Sequence, residues 1–139
     1  MTAPVTPQRR ELDSQATALL AARAAVEKHA EHVVVMDLRS LSTITDFFVL
    51  CTVGSGPHVN ALKDHLEDAL EQGGCPVHHV EGLGHAGAAA QPAAHPQQFQ
   101  WVLMDCGDVV VHLLNEHARV FYRLEDLWAD APRIPIPSA

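Results

Sequence analysis

Trp101 to Trp128, WVLMDCGDVVVHLLNEHARVFYRLEDLW, is the stretch that most narrows what this chain can become. Two apolar runs, Trp101 to Asp105 and Asp108 to Leu114, flank Cys106-Gly107. The second run holds three valines in a row, Val109 to Val111. Side chains branched at Cβ lose rotamer freedom in a helix and fit a pleated strand. Gly107 can take the positive φ that a tight hairpin turn requires. The pattern predicts a two-stranded antiparallel hairpin. Both strands are apolar on both faces, which puts them centrally in a sheet or between two covering layers. Asn115 then caps a turn over Glu116 to Val120. A last helix runs from Phe121 to Ala129, with Leu124, Leu127 and Trp128 at packing spacing.

Upstream, Leu12, Ala16, Leu19, Leu20 and Val26 recur at helical spacing, and the stretch is rich in alanine. This predicts one amphipathic helix from about Arg10 to Glu31. Val33 to Leu38 and Phe47 to Thr52 read as strands joined by a polar link. Gly54-Ser55-Gly56-Pro57 is a turn cluster in which Ser55 caps the next helix. That helix, His58 to Gln72, carries Val59, Leu62, Leu66, Ala69 and Leu70 on one face. Asp64, Glu67, Asp68 and Glu71 lie on the other. Val77 to Glu81 is a short third strand. Helices and strands in this order give a single α/β domain with a mixed sheet. The domain spans 10–130, after a flexible arm at 1–9 and before a Pro-rich extended tail at 131–139. Residues 82–100, rich in Ala, Pro and Gln, have no apolar period and read as a mobile insertion loop.

A chain of 139 residues suits one domain and buries about two thirds of its unfolded surface, so it needs no disulfide or metal to fold. Its three cysteines, Cys51, Cys75 and Cys106, each sit in or beside an apolar run, as reduced thiols of a cytoplasmic protein do. Met1 to Arg10 holds no apolar core of signal-peptide length, and no run approaches the ~20 residues of a membrane span. The formal charge is −8 and the nine basic residues do not cluster. That argues against holding nucleic acid through its phosphates and suits a basic protein partner.

Three constellations invite a chemical reading. Gly54-Ser55 opens a helix after a strand, as phosphate-binding turns do. A nucleotidyltransferase also needs paired carboxylates for two metal ions, and no Asp-x-Asp occurs in the chain. Asp64, Glu67 and Asp68 are spaced as a solvated face. The ten histidines include His78 and His79 near Cys75, and His29 near His32, without a second ligand couple at zinc spacing. No metal and no cofactor is therefore expected. Asp105, Asp108 and His112 place polar groups on otherwise apolar strands, which needs a reason. Either the two carboxylates bind turn amides and His112 is a satisfied core or edge histidine, or the hairpin forms a docking face. Asp46 either caps its turn or meets a partner's Lys or Arg.

The residues also carry a resemblance. W-V-L-x-D-x-G-D-V-V-V-H at Trp101 to His112 and F-Y-R-L-E-D-L-W at Phe121 to Trp128 resemble the ribosomal silencing factor family, RsfS or Iojap. So do L-S-T-I-T-D-F-F-V-L-C-T, ending at Thr52, and V-E-G at Val80 to Gly82. The blocks stand in the family's order across roughly Leu12 to Trp128, with the 82–100 insertion as a departure. The resemblance implies a nucleotidyltransferase-like fold with about five strands. It implies binding to the large ribosomal subunit at ribosomal protein fourteen, which blocks subunit joining and lowers translation when nutrients are short. It also implies a homodimer off the ribosome and no catalysis. The partner-binding residues would be Asp46, Trp101, Leu103, Asp105, Asp108, His112, Arg119 and Tyr122. The competing readings are a nucleotidyltransferase-like enzyme or nucleotide-binding remnant using Gly54-Ser55, and a dimeric scaffold with no ribosomal role.

Overall fold

The computed structural model describes residues 13–54, 56–82 and 101–137. The expected N-terminal arm, the first turn of the first helix, the Ser55 cap and the 83–100 part of the insertion lie outside them. Helix α1 (Ser14–Glu27) starts where the Asp13 carboxylate accepts from the Ala16 amide at 3.0 Å. Strands β1 (Glu31–Asp37) and β2 (Phe47–Thr52) follow, then α2 (Gly56–Gln72) and β3 (His79–Glu81). The hairpin is β4 (Trp101–Asp105) and β5 (Val109–Leu114). Helices α3 (Glu116–Tyr122) and α4 (Leu124–Leu127) and strand β6 (Arg133–Ile134) complete the described chain.

The sheet is mixed and has six strands in the order β3-β4-β5-β2-β1-β6. Only β2 and β5 are parallel, paired from Phe47 with Val109 to Thr52 with Leu114. The hairpin forms as its sequence predicts, with Gly107 at φ 92° in the turn, and β5 and β2 are the two central strands of the sheet. The sixth strand comes from the Pro-rich tail. Pro132 donates no amide but its carbonyl accepts from Asp37 at 2.8 Å, and Ile134 then pairs with Val35. An edge position tolerates flanking prolines because one side of the strand needs no ladder donors.

Period-two alternation sorts the strands between two faces. Val35, Phe47, Val49, Cys51, Val102, Met104, Val109, Val111 and Leu113 pack under α1 and α2. From α2 come Val59, Leu62, Leu66 and Leu70, the stripe read from the sequence. From α1 come Ala18, Ala21, Ala22 and Ala25, with Leu19 and Leu20 of the expected stripe half-buried against the same core; Ala16 is exposed and Val26 is 51% exposed. Alanines let the helix backbone approach the sheet and α2 closely, and a leucine there would hold it off. The opposite face buries Met36, Leu38, Leu50 and Leu114 under Ala118 and Ala131, with Phe48, Trp101, Leu124 and Trp128 half-buried around them. The turn expected over Glu116 to Val120 is a helix that reaches Tyr122, and the helix expected over Phe121 to Ala129 is only Leu124–Leu127. Asn115 caps the first through Ala118 at 2.9 Å, and Arg123, left-handed at φ 50°, ends it before Leu124.

The alanine face makes a direct test. Ala22→Leu, at a fully buried site, is expected to lower unfolding free energy by about 1–3 kcal/mol through overpacking. Val26→Leu, on the exposed side, stays within about 0.5 kcal/mol. Urea denaturation of the two variants reads the difference, and equal losses would contradict the assigned face.

Candidate docking face

The half-covered side of the sheet gathers the aromatic residues. Trp101 opens β4 opposite Leu114, two positions from Leu103, which pairs with His112. The Trp101 Nε1–H donates to His112 Nδ1 at 3.0 Å. Tyr122 reaches over from α3, its ring 4.5 Å from the indole. Phe48 stands edge-on to His112 at 4.5 Å and to Trp128 at 5.9 Å. The series Tyr122, Trp101, His112, Phe48, Trp128 thus crosses β4, β5 and β2 without a formal charge at neutral pH. Gly82 brings β3 against the start of β4: at φ 78° a Cβ there would meet the Trp101 carbonyl oxygen at 2.1 Å. No other residue fits that approach.

His112 is 3% exposed, and burial pushes its pKa down to about 4. Its Nε2 is buried without a hydrogen-bond partner. The imidazole is therefore a core group, as one sequence reading held, but it is satisfied at one nitrogen only. Leu103 is half-buried, and Tyr122 is 41% exposed.

The acidic residues lie at the other end of the strands. Asp105 is four positions from Trp101 along β4, about 13 Å at ~3.3 Å per residue. Its Oδ1 accepts from the Gly107 amide at 2.8 Å and so braces the turn. Asp108 has an exposed side chain, while its carbonyl accepts from Asp46, from Phe47 and from the Thr45 hydroxyl. The Asp46 carboxylate accepts from Ser14 Oγ at 2.9 Å, which ties the start of α1 to the sheet. The structure therefore brings Trp101, His112 and Tyr122 together, places Leu103 midway along β4 beside His112, and sets Asp46, Asp105 and Asp108 at the far end.

Arg119 turns inward and is 12% exposed. Its Nη1 donates to the His32 carbonyl at 2.7 Å and to Thr52 Oγ1 at 2.8 Å. Nε and Nη2 each donate to the Glu125 carboxylate at 3.0 Å. Those hydrogen bonds hold the Glu125 carboxyl below its usual range, against the opposing effect of burial. Of the residues read at packing spacing in the last helix, Leu124 and Trp128 are half-buried but Leu127 is 70% exposed, close in sequence to the exposed Val120 and Phe121; Phe48, half-buried on the aromatic face, was not singled out for it. Phe48 was recoverable, because alternation from the buried Phe47 puts it on the opposite face.

The other constellations have local explanations. The Gly54 amide donates to His58 Nδ1 at 3.1 Å, so it is engaged within its own turn. Lys63 pairs with Asp64 and Glu67 at 3.2 and 3.4 Å. Among the described residues no group of three or more His, Cys, Asp or Glu is placed to hold a metal ion. Burial pushes the thiols of Cys51 and Cys106 up to about 12. Among the described residues no helix is long and apolar enough to cross a membrane.

The buried imidazole sets a pH dependence. The unfolded His112 takes up a proton near pH 6.5, and the folded one only near 4. Stability is therefore unaffected by His112 above about pH 6.5 and falls as the pH drops from there to 4. The total loss is roughly 3 kcal/mol. His112→Phe is expected to remove that part of the slope. Urea melts of both proteins at pH 4.5 and 7.5 measure it, and parallel slopes would contradict the burial.

Comparison with known proteins now adds the family. The family model described as "Ribosomal silencing factor during starvation" matches residues 11–139. A ribosomal silencing factor RsfS of Halalkalibacterium halodurans is 34% identical over 125 residues, covering 90% of this chain and 96% of that protein. The RsfS of Bacillus subtilis is 34% identical over 113 residues, covering 81% and 85%. A crystal structure of a Bacillus halodurans protein superposes with a TM-score of 0.66 at 32% identity, covering 87% of this chain and 98% of that one. Both RsfS relatives are named as silencing factors, a regulatory role. With sequence matches across nearly the whole described fold and a solved structure of the same architecture, the chain belongs to the ribosomal silencing factor family.

Proposed function

We propose that this protein binds the large ribosomal subunit through ribosomal protein fourteen and sterically blocks joining of the small subunit, repressing translation under nutrient limitation. The observation that carries the reading is the aromatic face: Trp101, Leu103, Tyr122 and Phe48 remain partly open on a sheet whose other side is closed by two helices. Half-exposed aromatic residues beside apolar ones are the common anchors of protein interfaces. Family membership supports a ribosomal partner for this face. The net charge of −8 suits a basic surface, and Asp46, Asp105 and Asp108 form an acidic end to the same sheet. Charges at a rim steer and orient the encounter, while the desolvated centre holds the complex together. Arg119 belongs to this set by positioning α3, on which Tyr122 sits. The protein works in the cytoplasm, and off the ribosome the same face pairs two copies as a homodimer. Steric occupation needs neither cofactor nor catalytic group.

Co-sedimentation with isolated large and small subunits over a salt series tests this. Binding to large subunits alone, weakening as salt rises, is expected. Trp101→Ala should weaken it by roughly 30-fold or more, the effect of a hot-spot residue, with the fold intact by circular dichroism. Wild-type protein that sediments with neither subunit would remove the ribosomal reading. Binding that survives Trp101→Ala would remove the site.

A further inference from the structure

The Trp101 indole lies across the half-covered face, and two contacts fix its orientation. A tryptophan on a strand has more than one staggered choice at its first torsion and a broad range at its second. The Tyr122 ring at 4.5 Å limits the space, but aromatic packing tolerates sliding. The hydrogen bond from Nε1–H to His112 Nδ1 at 3.0 Å is directional and sets the rotation of the indole plane.

The imidazole makes that bond against the preference of its surroundings. Accepting at Nδ1 leaves the neutral ring's own proton on Nε2. That N–H is enclosed without an acceptor in a residue 3% exposed. Native proteins rarely leave such a donor unpaired. Position 112 is otherwise an apolar site, flanked across the strands by Leu50 and Leu103 and by the Phe48 ring at 4.5 Å. A phenylalanine would occupy such a place with no orphaned group. The service an imidazole gives there, and an apolar ring does not, is to accept from Trp101.

We infer that His112 is a positioning residue for Trp101: its Nδ1 lone pair holds the indole in the orientation that meets the ribosomal partner, while His112 itself touches no partner atom. The inference rests on the docking reading above and changes His112 from a contact to a support. It also specifies the chemistry that reaches Trp101. The indole N–H is already used within the protein, so the partner approaches the ring face or edge with an aliphatic stem or a cation, not with a hydrogen-bond acceptor.

Two variants separate positioning from a merely structural role. His112→Phe removes the lone pair and the orphaned donor together. It is expected to keep or raise the melting temperature. Binding to isolated large subunits should fall by about tenfold or more, and the Trp101 indole N–H should exchange faster with solvent. His112→Asn keeps an acceptor, because Asn Oδ1 stands where His Nδ1 stands. It is expected to melt lower, through its cavity and second amide proton, yet to bind within about threefold of wild type below its melting range. A structural role predicts the opposite order, with binding following stability, and that order would overturn the inference. Long-range proton–nitrogen spectra of the wild-type imidazole read the tautomer with no variant. Nε2–H is expected, and Nδ1–H would overturn the assignment. Wild-type protein that binds no ribosomal subunit would bring down the docking reading. Wild-type binding that His112→Phe leaves undiminished would bring down this inference alone.

Discussion

Alternation along β2, β4 and β5 is the constraint on which the rest of the structure depends. Each of these strands is apolar in both directions, so both faces of the sheet must be covered. One side is covered by helices of 14 and 17 residues. The other has helices of seven and four residues. A seven-residue helix is about 10 Å long, whereas a six-residue strand is about 20 Å. The short helices close one end of their face over Met36, Leu50 and Leu114 and leave Leu103, Val110 and part of Phe48 beyond their reach. The candidate docking face is the portion of this apolar sheet surface that, among the described residues, α3 and α4 do not reach.

That partial cover is held in place by one guanidinium. Arg119 bonds β1 through the His32 carbonyl, β2 through Thr52, and α4 through Glu125. A planar fork with five donors can bind a carboxylate through two nitrogens and a carbonyl with a third, which a lysine cannot do. The β1 strand is irregular where it meets this fork. His32 takes φ 48° within a register shift between Glu31 and Val34. A bulge with a left-handed residue is an uphill local conformation, offset here by the charge-assisted bond its carbonyl accepts. Arg123, also left-handed, breaks α3 from α4 and lets Glu125 come back toward Arg119. Local strain at two positions thus fixes the helix that carries Tyr122 over Trp101.

What the sequence made legible follows from what is local. The hairpin, the leucine stripe of α2 and the Asn115 cap all depend on residues within one or two turns of each other, and each stands as read. The face of α1 was legible only in part: Leu19 and Leu20 pack against the core as read, but alanine contributes little to an apolar period, and close packing against the sheet selects it. Strand β6 was hidden because two residues between prolines have no period of their own; Val35 and Met36 define it as a strand. The aromatic part of the site was readable as a motif. Its separation from Asp46, Asp105 and Asp108 depends on strand register, which no spacing along the chain reveals. The inward turn of Arg119 depends on a carbonyl 87 residues away.

The separation of aromatic and acidic ends has an energetic logic for a surface that must be dried on binding. Removing water from an unpaired charge costs several kcal/mol, whereas drying aromatic surface is favourable. At the centre of this face the imidazole of His112 is kept neutral by burial, and Arg119 is enclosed with its own carboxylate. The carboxylates of Asp105 and Asp108 stand at the turn, away from the aromatic centre. A protein that only occupies a site needs residence and orientation rather than chemistry. On the proposed reading, the uncharged centre slows dissociation and the acidic border orients approach, so the two requirements fall on different residues of the same sheet.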